Sequence, residues 1–116
     1  MGVPAITKLL VPTALTSTLT TNLYNPSANT FAIIRLINLA NKTSGAVTVS
    51  LYLGLTGGDA AGTEILNGYS IPANTTYQYW TAMKVSTADF LTGGASANTS
   101  ITITVMGELY AVQPTA

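Results

Sequence analysis

The residues of this sequence that could carry out chemistry are few and widely spaced. Asp59 and Glu64 are the two carboxylates closest together in the chain, and Asp89 and Glu108 stand apart from them. A close carboxylate pair can bind calcium or act as the acid and base of a hydrolase. However, no third carboxylate lies beside this pair. We therefore predict a solvated loop edge here, with no metal site, no catalytic residue and no cofactor.

The chain contains neither histidine nor cysteine. Their absence excludes Ser-His-Asp and Cys-His nucleophilic sites, the usual zinc sites and disulfide bonds. The glycine-rich stretch GLTGGDAAGTE at 54–64 lacks the Gly-Lys-Ser/Thr ending of a phosphate-binding P-loop. We expect a loop at 54–64 and a protein that is not an enzyme.

The charge content is low and balanced. Charged residues make up 7% of the chain, and four cations match four carboxylates to give a formal net charge of zero. Without a basic cluster the chain lacks the electrostatic attraction on which nucleic-acid binding depends. No apolar stretch reaches the roughly 18 residues of a transmembrane helix. We expect no nucleic-acid or membrane partner, and the weak repulsion between neutral copies favours a homo-oligomer.

The apolar residues follow the period of two that is typical of half-buried strands. TALTSTLTTNLY at 13–24, AVTVSLYLG at 46–54 and SITITVMGELY at 100–110 show it most clearly. Further strands are expected at 5–11, 31–41, 64–71, 76–80 and 82–86, and no window has a helical apolar stripe. We predict an all-β chain with about eight short antiparallel strands in a single β-sandwich, of jelly-roll or immunoglobulin-like topology.

The 116 residues fit one domain. We expect residues 13–116 to form the sandwich and residues 1–12 to form an N-terminal arm or edge strand. Pro4 and Pro12 bracket a short apolar run there, which could add to a neighbouring subunit through Leu9 and Val11.

The run FAIIRLINLAN at 31–41 is apolar on both faces. Phe31, Ile33, Ile37 and Leu39 alternate on one side, whereas Ile34 and Leu36 fall on the other. A central strand of a sandwich would explain this pattern, and so would a strand whose outer face contacts another subunit.

An aromatic cluster at Tyr77, Tyr79 and Trp80 allows two interpretations. The rings could stack on a sugar, or they could combine core packing with a subunit contact. Alternation places the two tyrosines on one face and Trp80 on the other. The candidate interface residues are Leu9, Val11, Ile34, Leu36, Tyr77 and Tyr79.

The tripeptide Ala-Asn-Thr occurs at 28–30, 73–75 and 97–99, each time before a predicted strand. Asn tolerates the left-handed backbone region, and Thr starts a strand well. We interpret the repeat as a strand-launching turn and not as a ligand site.

The order of these motifs resembles a family of small β-sandwich structural proteins of tailed bacteriophages. The matching stretches are LYNPSANT, IIRLINLAN, KTSGAVTVSLYL, SIPANTTYQYW and SITITVMGEL. Ala88 in STADFL departs from the Gly of the family's turn at that point.

The resemblance implies a capsid decoration (cement) protein, a homotrimer that binds the major capsid protein or other virion proteins and stabilises the shell. It would be located on the capsid surface of virions assembled in the host cytoplasm. A neck, tail or fibre component is an alternative within the same resemblance. A carbohydrate- or receptor-binding β-sandwich module is an alternative of a different class.

Overall fold

The structure is a computed structural model that describes residues 6–55 and 62–111. These residues form eight strands and no helix. The strands are β1 (Thr7–Ala14), β2 (Asn22–Tyr24), β3 (Thr30–Asn41), β4 (Val47–Gly54), β5 (Glu64–Ile71), β6 (Thr76–Val85), β7 (Phe90–Ala95) and β8 (Ile101–Ala111). The predicted all-β class with about eight antiparallel strands is confirmed.

The strands form two four-stranded antiparallel sheets. Sheet I has the order β1-β8-β3-β6, and sheet II has the order β2-β7-β4-β5. Each strand of the first half pairs with its counterpart counted from the other end: β1 with β8, β2 with β7, β3 with β6 and β4 with β5. This is a long hairpin rolled into a sandwich. It is the jelly-roll topology and not the immunoglobulin-like one.

The core lies between the two sheets. Its fully buried aliphatic side chains come from both inner faces, as expected for a sandwich. They include Leu15, Ile34, Ile37, Leu39, Val49, Leu51, Ile71, Val85, Leu91, Ile101, Ile103 and Val105.

The predicted strand at 13–24 is wrong, because the chain crosses from sheet I to sheet II within it. β1 ends at Ala14, and β2 begins at Asn22. In the crossing, Thr21 donates its Oγ1 hydrogen to the Thr18 carbonyl at 3.1 Å and lies 3.2 Å from Thr16 Oγ1. Threonine hydroxyls can bond to nearby backbone in this way and so favour turns over a strand ladder. The alternation of Leu and Thr in the sequence therefore runs on through a turn, where it does not indicate a strand.

Strand β7 was not predicted, because its sequence FLTGGA contains two glycines. Gly93 has a φ of 154°, and a Cβ there would lie 2.2 Å from the Ser50 carbonyl oxygen. A Cβ on Gly94 would lie 2.6 Å from the carbonyl oxygens of Thr16 and Thr18. Close backbone approach on both sides requires glycine inside this strand, although glycine disfavours strands elsewhere. The runs at 76–80 and 82–86 form one strand, β6.

The three Ala-Asn-Thr copies are turns, as predicted, but the third is shifted by one residue. Asn29 and Asn74 have φ values of 62° and 54°, and the threonine after each bonds the carbonyl three residues back. In the third copy Thr99 has the positive φ of 57° instead of Asn98. Ser100 Oγ then donates to the Ala97 carbonyl at 2.6 Å.

Asn41 joins the end of β3 to two turns and is 2% exposed. Its Nδ2 donates to the carbonyls of Gly45, Ile71 and Pro72 at 3.0–3.2 Å. Its Oδ1 accepts from the backbone N–H and the hydroxyl of Thr43. A single amide therefore satisfies buried groups of both turns.

Candidate functional site

The outer face of sheet I carries a row of apolar side chains across three strands. Leu36 in β3 lies opposite Trp80 in β6 and opposite Met106 in β8. Directly opposed residues of antiparallel strands share a face, so these three side chains form one row, which we call the Trp80 row. Trp80 is 67% exposed, whereas Leu36 is 7% exposed in the middle of the row.

A shift in β3 explains why Leu36 faces outward while Ile34 faces the core. The register of β3 against both β6 and β8 shifts between Ile34 and Leu36. Beyond the shift the buried positions change from even to odd numbers, from Ala32 and Ile34 to Ile37 and Leu39. Both parities of FAIIRLINLAN are thus apolar because the strand changes phase at Arg35.

Gly107 makes room for this irregularity. It lies opposite Ile34 in β8, and a Cβ there would lie 2.0 Å from the Ile33 carbonyl oxygen. A side chain at position 107 would therefore force β3 and β8 apart. The glycine allows the close approach that places Arg35 and Leu36 on the outer face.

A polar cluster lies beside the Trp80 row. Arg35 donates from Nε to Glu108 Oε2 at 2.9 Å and from Nη2 to Oε1 at 3.3 Å. The Tyr110 hydroxyl donates to Glu108 Oε1 at 2.5 Å. The Tyr110 ring stacks on Phe31 with centroids 5.0 Å apart, and Lys84 Nζ lies 4.9 Å from the centre of the Phe31 ring.

The hydrogen bonds of this polar cluster shift the pKa of Arg35, Glu108 and Tyr110. Hydrogen bonds from Arg35 and then from Tyr110 lower the pKa of Glu108, although partial desolvation opposes them. The hydrogen bond to Glu108 raises the pKa of Tyr110 and of Arg35. Each shift favours the state present near neutral pH, so these groups hold the face together and are not poised for proton transfer.

The other two carboxylates with a described position, Glu64 and Asp89, accept hydrogen bonds from backbone N–H groups. Glu64 Oε1 accepts the N–H of Gly62 at 2.7 Å, and Asp89 Oδ2 accepts the N–H of Ser86 at 3.0 Å. Asp59 and most of the 54–64 loop lie outside the described residues, so the proposed loop edge is described only at Glu64. In the part of the chain that is described, no group of three potential metal ligands occurs.

A shallow depression of about 290 Å³ lies at the end of sheet I where β3 begins. Its wall consists of Asn29, Thr30, Phe31, Lys84, Ser86 and Thr87. The Phe31 ring is already flanked by Tyr110 and Lys84. The depression therefore offers no free aromatic face to a ligand.

The six candidate interface residues fall into four environments. Val11 is 62% exposed on β1. Leu9, Tyr77 and Tyr79 are partly buried and pack against the core, and Tyr77 also contacts Tyr69 at a ring separation of 4.4 Å. Ile34 is fully buried and leaves no surface for a second subunit, whereas Leu36 belongs to the Trp80 row.

The structure thus separates the aromatic cluster of β6. Tyr77 and Tyr79 face the core side, and Trp80 projects outward, as alternation predicted. The candidate interface residues did not include Trp80. A large apolar ring among the polar residues on the outer face of β6 was the sequence feature that could have identified it. The Arg35–Glu108 pair joins residues 73 positions apart and left no local signal.

Residues 1–5 lie outside the described residues, and Thr7–Ala14 pair with β8 of the same chain as an edge strand. Among the residues described, no helix is long and apolar enough to cross a membrane.

No protein-family model matches the chain, and no curated protein matches it.

Proposed function

We propose that the protein is a structural component of a bacteriophage virion, a decoration protein that binds the major capsid protein through the outer face of sheet I. The observation that carries the proposal is the Trp80 row, in which an exposed indole stands at the end of an apolar line. Trp80 is exposed and Met106 is half-buried, and Arg35 precedes Leu36 in β3. Trp, Met and Arg are enriched in protein–protein interfaces.

The virion assignment is supported by the order of sequence motifs and not by the fold alone. Jelly rolls occur in viral capsid proteins and in lectins, and a fold does not decide a function. The motif stretches that resemble phage structural proteins include the strands that build the outer face, IIRLINLAN in β3 and SITITVMGEL in β8.

The proposed mechanism is stabilisation by mass action. A protein that binds the assembled shell but not its free subunits lowers the free energy of the assembled state. Because the chain has no net charge, docking would depend on apolar burial and shape. The affinity for the shell should therefore change little with salt.

A carbohydrate-binding function is the competing proposal of a different class. It would use stacked aromatic rings, and Trp80 is exposed enough to serve. Tyr77 and Tyr79 pack against the core and cannot join Trp80 in one platform. A neck, tail or fibre role would use the same apolar face within a ring of different symmetry.

The direct test is co-sedimentation of the purified protein with empty, expanded shells of tailed bacteriophages that lack accessory proteins. The Met106→Asp substitution places a carboxylate in the Trp80 row and should lower the affinity for shells roughly tenfold or more. Thr48→Asp is the matched control, because Thr48 is exposed on sheet II and the substitution adds the same charge.

Binding that is lost in Met106→Asp and kept in Thr48→Asp would support the proposal. Equal loss in both variants would contradict the assignment of the face. A protein that ignores shells but is retained on a glycan array through Trp80 would replace the virion proposal with the carbohydrate one.

A further inference from the structure

The four edge strands of the sandwich differ in how they are protected from pairing with another chain. β1 contains Pro12 and two register irregularities, and β2 has only three residues. β5 contains Gly68 at a φ of 60°, and its register against β4 shifts twice. Short strands, proline and bulges are the usual means by which proteins block sheet edges.

β6 has few of these protections. It is ten residues long, contains no proline and pairs with β3 alone among the described residues. Its register against β3 shifts once, between Trp80 and Met83. The exposure of β6 nevertheless alternates without interruption from Thr76 to Lys84, so alternate residues keep their direction across the shift. Lys84 is the single charged residue of the strand. A long edge of this kind is a template for a further strand.

We propose that β6 pairs antiparallel with β6 of a second copy of this chain, across a two-fold axis at Thr81. Along a free antiparallel edge, alternate residues point both their N–H and their C=O outward. A copy rotated about a two-fold axis presents a carbonyl to each N–H and an N–H to each carbonyl. The edge is therefore complementary to itself in its backbone partial charges.

The side chains are complementary in the same register. With the axis at Thr81, Trp80 lies opposite Ala82 of the second copy, so the large indole meets a small side chain. Gln78 lies opposite Lys84 of the second copy, and its amide oxygen can accept from the ammonium group. No like charges face each other, and the chain carries no net charge to keep copies apart.

The resulting assembly is a dimer with one eight-stranded sheet and the two Trp80 rows joined near the axis. An isologous contact of this kind closes with two copies. We therefore expect a dimer, whereas the sequence resemblance implies a homotrimer. The inference does not rest on shell binding, since it uses the edge of sheet I and not its face.

The first test is the mass in solution by light scattering over a range of concentrations. Wild-type protein should have twice the monomer mass of 12.0 kDa. The double variant Trp80→Lys/Ala82→Lys adds two cations beside Lys84 and should give monomers. The control Asn38→Lys/Met106→Lys adds the same charge to the same face on the central strands β3 and β8, and it should stay dimeric.

Circular dichroism and thermal melts would check that the edge variant and the control variant are both folded. A folded edge variant that stays dimeric would overturn the inference, and so would a wild type that is monomeric or trimeric throughout. Loss of shell binding in the dimeric Met106 variant would concern the docking face alone, so the two proposals fail separately.

The second test exploits the absence of cysteine. Trp80, Thr81 and Ala82 are replaced singly by Cys, with Asn38→Cys on β3 as the control. Opposed residues of antiparallel strands have Cα atoms about 4.5–5.5 Å apart, within reach of a disulfide. Oxidation should cross-link Thr81→Cys most rapidly. Faster cross-linking at a neighbouring position would overturn the register, and no excess over the control at any of the three would overturn the contact.

Discussion

At the scale of single residues, the three turns differ in how well the sequence suits the backbone. Asn29 and Asn74 occupy the left-handed region that Asn tolerates, whereas Thr99 occupies it as a β-branched residue. A non-glycine residue with positive φ is unfavourable, and β-branching makes it more so. The third turn is therefore the least well adapted of the three.

We expect Thr99→Asn to raise the free energy of unfolding by about 1 kcal/mol, because it removes a β-branched side chain from this region. Among the residues that the structure describes, the Thr99 hydroxyl donates to the carbonyl of the adjacent Asn98, so little is lost. Chemical denaturation measures the change. Thr30→Asn is the control and should destabilise, because Thr30 uses its hydroxyl to bond the Ser27 carbonyl. A stabilisation in Thr30→Asn of equal size would contradict the argument.

From the lowered pKa of Glu108 we predict that the stability of the fold depends on pH. Its pKa lies below the ordinary value of 4.5 because Arg35 and Tyr110 bond to the charged form. The folded state therefore holds the proton more weakly than the unfolded state. The resulting stabilisation is present above pH 4.5 and is lost as the pH falls through the lowered pKa.

Thermal melts of wild type and Glu108→Gln between pH 7 and pH 2 would test this. The wild type should melt higher at pH 7, and the difference should shrink below pH 4.5. Exposed Glu64→Gln is the control and should show a smaller difference. A gap between wild type and Glu108→Gln that is constant across this range would show that the carboxylate charge contributes nothing.

At the scale of elements, β7 depends on its glycines. Gly93→Ala would place a Cβ 2.2 Å from the Ser50 carbonyl oxygen at a φ that disfavours side chains. We expect a loss of about 3 kcal/mol, the upper range for an overpacked site. Gly45→Ala is the control, because no atom lies within 4 Å of a Cβ there. Urea unfolding of both variants compares them, and similar stabilities would contradict the fit at Gly93.

The period of two was sufficient to predict strands wherever alternating aliphatic residues face one core. The strands at 46–54 and 100–110 agree closely with β4 and β8. The signal failed where tertiary contacts override local pattern. The threonines at 16–21 bond to one another in a turn, Gly93 and Gly94 accept neighbouring backbones, and Arg35 shifts the phase of β3.

At the scale of the whole molecule, the candidate site required the sheet order. Trp80, Leu36 and Met106 form one row only because β6, β3 and β8 are neighbours. The sequence predicts the outward direction of Trp80 but not which strands flank it. The Arg35–Glu108 pair and the exposed β6 edge likewise follow from topology, since both depend on strands that are distant in the chain.

The pairing of β1 with β8 also constrains how the chain can acquire its structure during synthesis. β8 lies between β1 and β3 in sheet I, so neither strand has a complete set of neighbours until Ile101–Ala111 has been translated. In sheet II, β7 lies between β2 and β4, so these two strands also lack a shared neighbour until β7 has been translated. On the ribosome the apolar β3 segment can pair with β6 but lacks its β8 neighbour until Ile101–Ala111 has been translated. Such long-range closure slows folding and leaves unpaired strands open to aggregation in the meantime, so the nascent chain is a natural client for chaperones that shield extended apolar segments.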